Sequence, residues 1–140
     1  NHQVPLILTG PVVKKPQVIS QTTSQVDIMP TIMGFLGRGY YTQALGRDAL
    51  NDHREPGAFI YAWAQEPHPI GFVQGEYYYQ ILGTDGKDGL YRPGADDFNR
   101  DLSKEQPERY QRMKEMALGL YETSRYMLYN NKKHNETDKQ

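Results

Sequence analysis

The 140-residue chain contains no cysteine. That absence excludes disulfides, thiolate metal sites and a cysteine nucleophile, and leaves the redox compartment open. No apolar run approaches the roughly 20 residues that a bilayer-crossing helix needs. A surplus of one charge is missing too: 16 Lys and Arg stand against 17 Asp and Glu, a formal net charge of −1. A balance this close supplies no long-range field to attract nucleic acid or anionic lipid. There is no internal repeat, low-complexity tract, P-loop, Ser/His/Asp order or paired metal-ligand spacing. Neither a signal-peptide pattern nor an initiating Met precedes the strand-like run near Asn1, so the expectation is a piece of a longer protein.

What is present suits one folded unit. Hydrophobic residues make up 37% and mean hydropathy is −0.79, a polar composition that still supports a single modest core at this length. Eleven tyrosines fit half-buried strand surfaces.

The first third predicts a strand, a loop and a helix. Val4 to Gly10 is short and continuously apolar between Pro and Gly, the pattern of a strand buried on both faces of a parallel sheet. No nearby segment offers it a parallel partner, so its sheet is expected to lie mostly outside this chain. Finding it solvent-exposed and loop-like, or flanked on each side by strands of its own chain, counts against reading the chain as the tail of a larger enzyme. Ser24 to Gly37 predicts a short helix. Ser24 is its N-cap and Asp27 stands three residues on, in the first turn, where a carboxylate suits the dipole. Pro30 falls just inside the start, Val26, Ile28, Ile32, Phe35 and Leu36 supply apolar contacts, and Gly34 and Gly37 close it.

The second half has a different texture. Ala58 to Ala64 alternates large Phe59, Tyr61 and Trp63 with smaller residues, a period-two strand. Ile70 to Gln74, Tyr77 to Leu82 and Leu90 to Arg92 follow as strands, with Gly83 to Gly89 as a loop dense in turn residues. Strands joined so tightly pair antiparallel. A long helix begins near Glu105 or Pro107 and runs to Tyr129. Tyr110, Met113, Ala117, Leu120, Ser124 and Met127 form its stripe, widened by Tyr121 and Leu128. The fold class is therefore α+β. A strand and helix from the end of an α/β sheet fill residues 1–56, a four-stranded antiparallel sheet with one long helix fills 57–130, and 131–140 is a frayed tail.

Chemistry has few places to sit. His68 and His134 read as solvated residues, and His53 lies in an exposed polar loop. His2 precedes the expected strand, at the end where ligands of a parallel sheet do not gather. Asp27 is better accounted for as a cap than as a catalytic carboxylate. Arg38, Tyr40, Tyr41 and Arg47 are candidates to line a sulfate or phosphate pocket, since Arg reads such groups bidentately. The competing account is that Arg47-Asp48 anchors a loop. Phe59, Tyr61 and Trp63 fit packing better than a carbohydrate platform.

Three stretches, taken in order, carry a resemblance. They are Val4-Pro5-Leu6-Ile7-Leu8-Thr9-Gly10-Pro11, then Ser24-Gln25-Val26-Asp27-Ile28-Met29-Pro30-Thr31-Ile32, then Gly46-Arg47-Asp48-Ala49-Leu50. Together they resemble the C-terminal part of the sulfatase family in the alkaline-phosphatase superfamily, closest to its lipoteichoic-acid-synthase-like, phosphoglycerol-transferase branch. Leu90-Tyr91 followed by Asp96-Asp97, Asn99 and Leu102 resembles the end of the small sheet in sulfatases, with Asp97 where the usual Pro is absent.

The resemblance implies a sulfate- or phosphate-ester hydrolase or transferase whose nucleophile and divalent-cation site (Ca, Mg or Mn) lie upstream. This chain then carries no catalytic residue, metal or cofactor, and His2, Arg38, Tyr40, Tyr41 and Arg47 are its cleft candidates. Its partner is the missing N-terminal catalytic subdomain, with a dimer through the orphaned strand as a further expectation, and no nucleic-acid or membrane contact by this segment. Membrane-anchored relatives imply the periplasmic or extracellular side of a bacterial membrane. The alternative from the residues alone is a free-standing α+β interaction module with a Tyr-rich sheet as its binding surface.

Overall fold

The computed structural model describes residues 4–42, 45–52, 55–61, 68–82 and 86–130. His2, His53, Trp63, His134, the end of the strand expected over residues 58–64 and the tail 131–140 lie outside them. Four strands form one antiparallel sheet in sequence order: β1 (Ala58–Tyr61), β2 (Ile70–Gln74), β3 (Tyr77–Leu82) and β4 (Lys87–Tyr91). A short helix α1 (Ile28–Phe35) precedes the sheet, entered through a 3-10 turn at Gln25–Asp27, and a long helix α2 (Pro107–Asn130) follows it. The architecture is α+β, as the alternation and the final stripe predict.

Register explains the core. Phe59 pairs with Phe72, Phe72 with Tyr79, and Tyr79 with Leu90, so one row of large side chains crosses all four strands on one face. α2 lies on that face through β2 and β3 and brings Met113 and Ala117 into the row. Phe72, Tyr79, Leu90, Met113 and Ala117 are buried, and removing an apolar side chain such as Phe72, Leu90 or Met113 from water is worth about 2 kcal/mol. On the opposite face Tyr78 covers Gly71 and Tyr91 covers Gly89: a Cβ on Gly71 would lie 2.5 Å from the Tyr78 ring, and one on Gly89 2.5 Å from the Tyr91 hydroxyl. Helix α2 starts at Pro107, the proline alternative of the sequence reading, where a missing N–H costs nothing.

The outer edge of β4 is covered at Leu90. Leu90 N–H donates to Asp101 Oδ1 at 3.1 Å, and the Leu90 carbonyl accepts from Leu102 N–H at 2.7 Å. Leu90 and Leu102, two residues of the second resemblance, thus meet in the core.

Three expectations are corrected. Val4 to Gly10 forms no strand; Val4 is 79% and Ile7 77% exposed, which is the outcome set above as contrary to reading the chain as the tail of a larger enzyme. A parallel strand needs a parallel neighbour, and the four strands here pair antiparallel with one another. The fourth strand begins at Lys87, inside the expected loop, because Gly86 (φ 61°) makes the turn and Lys87 to Gly89 pair with Leu82 to Gln80. Leu128 does not widen the buried stripe of α2; it is 76% exposed.

Candidate functional site

The most organised polar site in the N-terminal half is built around Asp27. The 3-10 turn places its carboxylate back over the helix start, where Oδ2 accepts from Ser24 N–H at 2.8 Å. That is the capping interaction expected from the Ser24/Asp27 spacing. The other oxygen, Oδ1, accepts from Arg47 N–H at 2.9 Å, 20 residues further along. Asp27 is 5% exposed and Arg47 8%. One turn on, the Thr31 hydroxyl donates to the Asp27 carbonyl at 2.6 Å and accepts from Ala49 N–H at 3.0 Å. Arg47 Nη2 donates to the Thr22 carbonyl at 3.1 Å. Asp48 caps its own loop, with Oδ1 accepting from Leu50 N–H at 2.9 Å.

Two glycines let these pieces approach. A Cβ on Gly34 would lie 1.9 Å from Asp48 Oδ2, and one on Gly46 would lie 1.8 Å from the Val26 carbonyl oxygen. The helix then stops at Gly37 (φ 62°) in a Schellman arrangement: Gly37 N–H donates to the Gly34 carbonyl at 3.1 Å and Arg38 N–H to that of Met33 at 3.5 Å. The buried face of α1 is thus its polar and small one, with Asp27, Pro30 and Thr31 inside, whereas Val26, Met29 and Leu36 are exposed. Of the five apolar residues expected to supply contacts, Val26 and Leu36 are exposed, while Ile28, Ile32 and Phe35 are half-buried.

The candidate cleft residues separate. Arg47 sits inside the Asp27 site. Arg38, Tyr40 and Tyr41 lie on the exposed chain after α1, and their side chains make no hydrogen bond, ion pair or ring contact with described residues. His2 lies outside the described residues.

A second site was not visible in the sequence. Asp88 Oδ2 accepts from Tyr79 Oη at 2.9 Å, Tyr110 Oη at 2.8 Å and Lys114 Nζ at 2.7 Å, tying β3, β4 and α2 together. Partial burial pushes the Asp88 carboxyl up, but hydrogen bonds from Lys114, Tyr110 and Tyr79 outweigh it and hold the group below the usual carboxylate range. Burial, then the hydrogen bond to Asp88, pushes the Tyr79 hydroxyl far above the ordinary tyrosine value. The Lys114 ammonium is raised by its hydrogen bonds to Asp88 and Tyr110. A lysine held charged and tyrosines held protonated make poor bases, so the cluster fastens helix to sheet. Its signal was hidden because Lys87-Asp88-Gly89 reads as turn chemistry.

Among the described residues no three His, Cys, Asp or Glu side chains come together to hold a metal ion. No helix of the described residues is long and apolar enough to cross a membrane. Neither a known protein family nor any curated protein matches this chain.

Proposed function

We propose that this chain is the C-terminal part of a metal-dependent sulfatase or phosphoglycerol transferase, where it completes the fold and the rim of the active-site cleft without supplying the nucleophile. One observation carries the reading. Ser24, Asp27 and Thr31 of the second motif and Gly46, Arg47, Asp48 and Ala49 of the third close on one another through hydrogen bonds and glycine contacts. Two motifs that resemble one family, in its order, therefore form a single cooperating unit. The first motif counts against the reading, because Val4 to Gly10 is exposed and pairs with no strand among the described residues.

The reaction of the whole enzyme is metal-assisted displacement at sulfur or phosphorus. The described residues do not fit a complete metal site, and no step is assigned to them. The cation (Ca, Mg or Mn), the nucleophile and the catalytic subdomain belong to the upstream part, on the outer side of a bacterial membrane. The complete gene product, assayed on an aryl sulfate and on a phosphoglycerol ester, is expected to turn over one of them, to stop with chelator and to recover with divalent cation. Turnover indifferent to chelator, or a gene product lacking an upstream Asp-His-Gly motif, overturns the reading.

A second reading, a free-standing interaction module, is favoured by the paired Tyr78 and Tyr91 on the sheet face opposite α2. A natural start codon near Asn1 decides for it.

A further inference from the structure

An open cleft of about 510 Å³ lies between residues 17–21, the end of α1 and the loop 49–51. None of its lining residues is charged, and its polar side chains are all amides: Gln17, Gln21 and Asn51. Two of these amides have a fixed orientation. Gln21 donates Nε2 to the Ala49 carbonyl, and Asn51 donates Nδ2 to Asp48 Oδ2 at 2.7 Å. A carbonyl and a carboxylate only accept, so the nitrogens face them and the amide oxygens are left over. Gln21 Oε1 and Asn51 Oδ1 accept no hydrogen bond from a described residue, and the Gln17 side chain makes none with any described residue. Ile19, Phe35 and Leu50 supply the apolar part of the lining.

We propose that this cleft binds an uncharged, polyhydroxylated ligand, a sugar ring rather than an ion. The spare amide oxygens are acceptors that match hydroxyl donors, and the Gln17 amide offers both a donor and an acceptor. Phe35 and its aliphatic neighbours suit the C–H face of a ring. A charged ligand would give up its hydration with no guanidinium, ammonium or carboxylate in the lining to compensate it. The inference stands on the cleft and is independent of the sulfatase reading.

The test is a titration of the full chain, isotope-labelled at its side-chain amides, with glucose, galactose and N-acetylglucosamine and separately with inorganic phosphate. A sugar is expected to shift the Gln17, Gln21 and Asn51 amide resonances saturably. Affinity should fall about fivefold in Gln17→Ala and in Asn51→Ala, the loss of roughly one hydrogen bond. Gln17→Ala removes no hydrogen bond of the fold, so weaker binding there is not a folding defect. Absence of saturable shifts with all three sugars, unchanged affinity in both variants, or tighter binding of phosphate at the same amides overturns the proposal.

Discussion

Asp27 shows how one buried carboxylate holds two distant pieces of chain in register. Each oxygen meets a backbone N–H, from Ser24 on one side and Arg47 on the other. Asp27→Asn places an NH2 group against one of these donors and is expected to cost about 2 kcal/mol in urea unfolding. Glycines give a paired prediction. Gly46→Ala drives a methyl into the Val26 carbonyl and should cost about 2 kcal/mol, whereas Gly119→Ala, with nothing within 4 Å, should stabilise α2 by up to about 1 kcal/mol. If the two glycine variants unfold at the same denaturant concentration, the close approach at Gly46 is wrong. The sequence shows the Ser24 half of the Asp27 site because capping is local. It does not show the Arg47 half, because a contact across 20 residues leaves no periodic trace.

At the scale of elements, α2 is fastened to the sheet by the Met113 and Ala117 row and by the Asp88 cluster. Asp88 is held below the ordinary carboxylate range in the folded state. Its contribution is therefore complete above the unfolded carboxylate value of about 4 and disappears as pH falls through the folded value. The urea midpoint should drop on acidification below about pH 4, and Asp88→Asn should be less stable at neutral pH yet show a shallower drop. Part of the acid loss remains in that variant. Burial raises the Asp101 carboxyl, but hydrogen bonds from Ser103 and Leu90 outweigh it and hold the group low as well. Parallel pH curves for wild type and Asp88→Asn would remove the cluster from the account. The stripe of α2 is legible in the sequence from its 3-4 spacing, and strands β2 and β3 from their short aromatic and aliphatic runs between turn residues. The start of β4 is not, since its ladder partners are set by register with β3 rather than by its own turn-like residues.

Over the whole molecule, apolar side chains remain uncovered. Val4 and Ile7 in the opening segment, Val26, Met29 and Leu36 in and beside α1, and Tyr126, Leu128 and Tyr129 at the end of α2 are all exposed. Such surface favours association, and light scattering on the isolated chain should show mass rising with concentration; a constant monomer mass would count against it. The opening run reads as a buried strand from its short apolar pattern between Pro and Gly. An apolar pattern records what a segment can pair with, and the pairing itself depends on a parallel neighbour, which the described strands do not offer. The most direct test is hydrogen exchange at the amides of residues 4–10, measured in this chain and again in the complete gene product. Exchange should be fast here and slowed at least a hundredfold, on the order of 3 kcal/mol of protection, in the complete protein. Equally fast exchange in both would contradict the proposal that this chain is the C-terminal part of a larger enzyme.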